Sequence, residues 1–247
     1  MRWLLRFLVF LGLAIGGAFI LRDHLPPQIT EPLRPRANIA EVRAFQTPRL
    51  STALSAQNLR IGAPVYIRIF KETSELELWV DAGDRFQLFR SYDICNYSGT
   101  LGPKLAEDDH QSPEGFYRVA KSALNPNSRF HLSFNLGFPN SFDRAQGRTG
   151  SYLMVHGNCV SVGCYAMTDA GIEEIYILVE AALNGGQAHV PVHAFPFRMT
   201  SERMAQAKTH QWFDFWQSLA PAYARFEATG IPPQISVTDG RYLVATR

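Results

Sequence analysis

The sequence predicts a mixed, β-rich fold with a few helices and a helical region at its C-terminal end. Three observations predict it. Short segments of alternating apolar and polar residues follow one another from Val65, separated by turns of a few residues. One long apolar segment carries a helix-starting threonine and a glycine stop. A hydrophobic content of 46% against 19% charged residues describes a chain of 247 residues with a real core.

In order, "VYIRIF" (Val65–Phe70), "ELELWV" (Glu75–Val80) and "RFQLFRSY" (Arg85–Tyr92) alternate. "KETS" and "DAGD" between them read as turns, so a β-meander is expected. Further strands are expected in "GFYRV", "FHLSF", "SYLMVH" and "VPVHAF". A helix is expected from Thr168 as N-cap to Asn184, ended by Gly185-Gly186. A second helical region spans Ser201 to Thr229, divided at Pro221 and closed by Gly230-Ile231-Pro232-Pro233. Its Trp212, Phe215, Trp216, Leu219, Tyr223 and Phe226 recur at helical spacing, as a face packed on the sheet or as an aromatic wall beside a cleft.

The start of the chain differs from the rest. "MRWLLRFLVFLGLAIGGAFILRD" puts Arg2 and Arg6 ahead of an apolar run from Phe7 to Leu21, the form of an export signal or a retained signal-anchor. Residues 1–22 are read that way, with the remainder expected across the membrane. Residues 23–59 carry Pro26, Pro27, Pro32, Pro35 and Pro48 and read as an extended spacer. Residues 60–198 form the expected folded domain, and 199–247 a C-terminal helical extension packed on it. The net charge of +2 and the lack of a basic, aromatic-interleaved stretch argue against nucleic acid as a partner.

The chemistry concentrates in "SYLMVHGNCVSVGCYAM", Ser151–Met167, which holds two of the chain's three cysteines beside a histidine. A metal site built on His156, Cys159 and Cys164 matches no common zinc spacing. A disulfide is plausible between Cys95 and Cys159, leaving Cys164 free. A buried cysteine beside a satisfied core histidine is the plainest reading. The nucleophile reading asks most and finds most. Cys164 precedes the Thr168 helix, whose first turn favours a thiolate. His156 ends the preceding strand, and Gly157 and Gly163 let the chain return so that imidazole meets sulfur. The backbone N–H groups around Gly163, Cys164 and Tyr165 would supply an oxyanion hole for acyl transfer.

His156-Gly157 followed by Ser161-x-Gly163-Cys164 resembles the active-site signature of the L,D-transpeptidase catalytic domain (YkuD type), and its short His-to-Cys interval resembles the YafK-like branch. "LELWV", "YDICNYSGTLGPKL", "QSPEGFYRV", "NPNSRFHLSFNLGFPNSFD" and "RTGSYLMVHG" are similar to successive blocks of that branch across most of Val65 to Phe197. The resemblance implies a β-sandwich of that family with the site between sheet and loops. It implies Cys164 as nucleophile, His156 as general base, the Gly157 carbonyl as the group orienting the imidazole, and Ser161 as a shaper of the loop behind the thiol. The commonest signature also has a His directly before the Gly-Cys pair and an Arg two residues after the Cys. Here Val162 and Ala166 stand there, so Arg148 and Lys104 become the candidates to meet a substrate carboxylate.

The implied substrate is the stem peptide of peptidoglycan in a Gram-negative periplasm, attacked at the L-centre of its diamino acid. The acyl group would then pass to an amine, giving a cross-link or a protein attachment, or to water. The YafK-like branch is associated with detaching lipoprotein from the wall, so hydrolysis stands beside transfer, with wall-attached lipoprotein and the inner membrane as further partners. No metal or organic cofactor is required. A wall-binding module without turnover is the alternative of another class.

Overall fold

A computed structural model describes residues 36–245. The expected signal or anchor at 1–22 and the first part of the spacer lie outside them. The remainder of the spacer does not behave as expected. Residues Ile39–Ser55 form helix α1, started by Asn38, whose side chain accepts from the N–H groups of Ala40 and Glu41. Pro48 inside it costs one backbone bond and strains the turn before it. Packing outweighs that cost: Val42, Leu50 and Leu54 are buried, and Arg43 clasps Glu180 through Nε and Nη2 at 2.8 and 2.7 Å. The prolines signalled a break, and tertiary contacts decided otherwise. No helix among the described residues is long and apolar enough to cross a membrane.

The alternating segments become β1 (Val65–Phe70), β2 (Glu75–Asp81) and β3 (Phe86–Asp93), an antiparallel meander in the expected order. There follow β4 (Asn96–Tyr97), β5 (Gly115–Val119), β6 (Leu124–Asn125), β7 (Ser133–Asn135) and the short helix α2 (Ser141–Ala145). Then come β8 (Met154–His156), β9 (Tyr165–Ala166), helix α3 (Asp169–Asn184) with Thr168 as its N-cap, and β10 (Val190–Phe195). Two five-stranded sheets result, ordered β3-β2-β1-β10-β5 and β4-β9-β8-β7-β6. Helix α3 touches β1 and β10 of the first and β7 and β8 of the second, so it fills the space between them. Its buried residues run nearly all round, from Ile172 and Ile175–Val179 to Ala182 and Leu183, as a helix enclosed on every side requires.

Strand β1 is buried along its whole length, and the reason is positional. Val65, Ile67 and Ile69 face α3, while Phe70 belongs to a second apolar layer on the other face with Phe116, Phe195, Phe197, Trp216 and Tyr223. That layer is roofed by the C-terminal chain: α4 (Ser201–Gln206), α5 (Phe213–Thr229) and a hairpin of β11 (Ile235–Thr238) and β12 (Arg241–Val244). Two expectations need correction here. The helical region divides at 207–212 rather than at Pro221, which lies inside α5, because Trp216, Leu219, Tyr223 and Phe226 bury one continuous face across the proline. The extension is also not wholly helical, since it ends in a hairpin. Of the two readings of the aromatic series, the packed face is the one observed.

Candidate active site

Strands β8 and β9 are parallel neighbours, with Val155 opposite Tyr165 and His156 opposite Ala166. Facing residues in a sheet point the same way and successive ones alternate. Cys164, just ahead of β9, therefore stands level with Met154 and on the same face as His156. Adjacent strands about 4.8 Å apart and a two-residue offset of about 6.6 Å put the two Cα atoms on a diagonal of about 8 Å, within reach of an imidazole. Parallel strands usually need a crossover of a dozen residues or more. Here residues 157–164 suffice, because Asn158 (φ 71°), Cys159 (φ 51°) and Gly163 (φ 101°) take left-handed conformations that fold the return tightly.

Two ties hold that return in place. Cys159 is disulfide-bonded to Cys95, with Cα atoms 5.2 Å apart, and the Asn158 N–H donates to Asp169 Oδ1 at 2.8 Å. The disulfide removes Cys159 from any zinc set with His156 and Cys164. Among the described residues, no group of three His, Cys, Asp or Glu side chains gathers at one point. Cys164 is the free cysteine.

The thiol of Cys164 lies against two backbone groups of the strand beside it. Its Sγ accepts from the Met154 N–H at 3.4 Å and donates to the Tyr152 carbonyl at 3.6 Å. Its own carbonyl is pinned by two hydroxyls, Ser161 Oγ at 2.7 Å and Ser112 Oγ at 2.9 Å. Ser98 Oγ lies 3.1 Å from Ser161 Oγ, and Ser112 Oγ in turn accepts from the Ser98 N–H at 3.1 Å. Ser161 thus takes the place expected of it behind the thiol. Ser98 and Ser112 were not singled out in the sequence, and no spacing marks them.

His156 is buried, its ring centroid 4.7 Å from that of Phe130 with the planes tilted by 35°, and its Nδ1 lies 2.6 Å from the Gly157 carbonyl. A carbonyl only accepts, so Nδ1 carries the hydrogen and Nε2 is left with its lone pair. This is the orientation expected of Gly157. Burial lowers the His156 pKa, with the Gly157 carbonyl opposing, so the ring is neutral at pH 7. The thiol behaves opposite to expectation. Burial raises the Cys164 pKa, and neither the Met154 N–H nor the Lys104 charge overcomes it. Strand β9 lies between Cys164 and α3, whose first turn is capped by Thr168 Oγ1 on the Gly171 N–H. The resting pair is therefore thiol and imidazole, not thiolate and imidazolium.

The remaining expected residues divide. Gly163 adjoins the nucleophile, and a side chain there would meet the strained φ and the Leu153 side chain at 3.3 Å. Tyr165 is fully buried in β9, between β4 and β8, and its hydroxyl donates to the Pro113 carbonyl at 2.8 Å. Its side chain is therefore spent on the fold. Lys104 Nζ lies 2.5 Å from Asp109 Oδ1 and donates to the Ala106 carbonyl at 2.8 Å. Arg148 is buried, paired with Asp143 at 2.8 Å and packed over Phe142 and Phe215. Both cations thus engage internal acids, and the Lys104 charge also acts on the Cys164 thiol.

Beneath the Ser98–Ser112 segment lies a buried ion pair, Lys71 Nζ to Glu114 Oε1 at 3.2 Å. Lys71 also donates to the carbonyls of Thr100, Gly102 and Ser112. Glu114 accepts from the Gly102 N–H at 2.7 Å and from Trp216 Nε1 at 2.8 Å. One charge pair thus joins the segment that pins Cys164 to helix α5. Beside the thiol the surface is open: Tyr152 is 74% and Val162 73% exposed.

Residues 64–193 match the model of the L,D-transpeptidase catalytic domain of the YkuD type. The chain is 52% identical over 185 residues to "Putative L,D-transpeptidase YafK" of Escherichia coli strain K12, covering 75% of each. Among solved structures it is similar to the helical cell shape determining protein Pgp2 of Campylobacter jejuni, as its K307A mutant. The TM-score is 0.45 and the identity 17%, over 76% of this chain and 78% of that one. It is also similar to Bd1075 of Bdellovibrio bacteriovorus, with a TM-score of 0.40 and 18% identity over 71% of this chain and 77% of that one.

Proposed function

Because the chain belongs to the L,D-transpeptidase catalytic-domain family, we propose that it carries out cysteine-dependent acyl transfer on peptidoglycan stem peptides. The observation that carries this reading is the Nδ1–Gly157 contact at 2.6 Å, which leaves Nε2 as a base on the sheet face it shares with the free thiol. Nε2 takes the thiol proton as sulfur bonds to the carbonyl carbon of the L-centre. The tetrahedral intermediate collapses, the C–N bond breaks, and the imidazolium returns the proton to the leaving amine. An incoming amine or water then attacks the thioester, giving its proton to Nε2, and the released sulfur takes that proton back. The backbone N–H groups around Gly163 and Cys164 would serve the oxyanion.

We place the domain outside the cytoplasm, in the periplasm. The basic, apolar start of the chain and the Cys95–Cys159 disulfide both support that location. The inner membrane and a wall-attached lipoprotein remain partners of this reading.

The test is mass analysis of stem peptides after incubation with purified protein, with and without an added amine. Loss of the terminal D-residue or exchange for the amine is expected, and both vanish in Cys164→Ala. Recovery of unaltered peptide, with no acylation of Cys164 by a thiol-directed probe, would leave a wall-binding module instead. The balance of amine adduct to hydrolysed product assigns transfer or cleavage.

A further inference from the structure

Two cavities meet at a pair of arginines. One of about 540 Å³ is lined at one end by Tyr152 and Met154, whose backbone groups hold the Cys164 sulfur. The other, of about 470 Å³, runs between β5, β10 and the β11–β12 hairpin, with Pro232, Pro233 and Ile235 in its wall. Arg118, Gly137 and Arg144 line both, so the two adjoin, and one of them reaches the strand residues that contact the Cys164 sulfur. Each part is large enough for several residues of a peptide.

No aspartate or glutamate lines either cavity. Several arginines elsewhere are matched by carboxylates, among them Arg43 by Glu180, Arg90 by Glu174, Arg148 by Asp143 and Arg203 by Glu72. Arg118 and Arg144 have no carboxylate partner among the described residues. Arg118 Nη2 donates to the Ile235 carbonyl at 2.8 Å, and Arg144 Nη1 donates to the Pro139 carbonyl. Each contact steadies the guanidinium and leaves most of its five N–H donors unused. The charge of Arg118 is felt within the second cavity, where it adds to burial in lowering the pKa of His189 and His193. Both imidazoles are thereby kept neutral, and the positive charge rests on the arginines.

We propose that Arg118 and Arg144 form a carboxylate-binding subsite that holds the substrate peptide by a carboxylate outside the scissile amide. A guanidinium fork matches a carboxylate with two parallel hydrogen bonds, and a pair of forks in a cleft free of acids selects for it. Arg148 and Lys104, by contrast, both engage internal acids. It also gives the C-terminal hairpin a role, since its Ile235 carbonyl sets the position of Arg118. This inference rests on the stem-peptide reading for the identity of the ligand.

The test compares affinity for a stem tetrapeptide and for versions with each carboxylate in turn converted to carboxamide. Binding is measured by calorimetry on Cys164→Ala, so that no turnover intervenes. A hydrogen-bonded charge is worth roughly 10- to 100-fold, so one amidation should weaken binding at least about tenfold. In Cys164→Ala carrying Arg118→Gln and Arg144→Gln, the same amidation should cost less than about twofold. Circular dichroism and melting of that variant check that both exposed positions leave the fold intact. Equal amidation penalties with and without the arginines, or no penalty at all, would overturn the subsite. Arginine-dependent binding of a peptide that the unsubstituted protein never cleaves would instead sink the acyl-transfer reading and leave the subsite standing.

Discussion

Replacing both Cys95 and Cys159 by alanine tests how the nucleophile's loop is held. The disulfide closes a sequence separation of 64 residues. Chain-entropy bookkeeping for a loop of that size gives about 14 cal/mol/K, or about 4 kcal/mol at 25 °C, lost from the stability of the oxidised protein. Against an overall stability of about 5–15 kcal/mol the domain should stay folded at room temperature but with a much narrower margin. With a urea slope of about 3 kcal/mol/M, the unfolding midpoint should fall by about 1.3 M. The assay is urea unfolding of the oxidised protein, the reduced protein and the double variant, followed by tryptophan fluorescence. The reduced protein and the double variant should coincide. A midpoint shift below about 0.3 M in both would mean that the 157–164 return is held by its hydrogen bonds alone. Turnover should survive in part, because Ser112 and Ser161 still grip the Cys164 carbonyl.

Alkylation of Cys164 should accelerate with pH into the alkaline range, as a thiol raised by burial requires, and a plateau near neutrality would contradict the resting thiol–imidazole pair. His156→Gln should lower turnover by about 10²–10⁴-fold, and Cys164→Ala combined with it should be little worse than Cys164→Ala alone. Glu114→Gln leaves the Lys71 ammonium buried without its counter-charge and should cost about 3–5 kcal/mol by chemical unfolding, while Lys71→Met with Glu114→Leu should recover most of it. His193 is fully buried with its pKa lowered from 6.5 to about 3. Its neutral form is favoured in the native state, so the stability it contributes is complete above pH 6.5 and drains away as pH falls toward 3, by up to about 5 kcal/mol. His193→Leu should flatten that part of the stability profile. Ser133→Ala removes a buried hydroxyl that has no partner and should leave stability unchanged or slightly raised.

The parts of this molecule that were legible in sequence are those where one local rule dominates. Alternation placed β1, β2 and β3, and a Thr cap with a glycine stop placed α3 within a residue. The site was legible where chemistry is local too, since His156, Gly157 and Cys164 lie within nine residues of chain. What failed depended on contacts between distant residues. Pro48 and Pro221 read as breaks, and only the surfaces they pack against explain why both helices run through them. Nothing in the spacing of Arg148 and Lys104 announces Asp143 or Asp109 as a partner. The thiol's raised pKa arises from burial, which sequence does not display. The C-terminal hairpin is a different case, because its signal was present and went unused. "ISVTDGRYLV" alternates around Asp239-Gly240, both at positive φ, the backbone of a two-residue hairpin turn.

The stretch matched by the family, 64–193, ends before the chain that roofs its first sheet begins. Cut there, Phe70 and Phe116 would meet water, and Glu114 would lose the indole of Trp216 while still facing Lys71. The catalytic segment is for that reason not a portable cassette. Grafted into another protein, it would carry an adhesive face and a buried carboxylate short of one hydrogen bond beneath the serines that fix its nucleophile. Any recombination that moved the chemistry between proteins would have to carry the roof along with it, or find in its new host a helix with an indole in the right place.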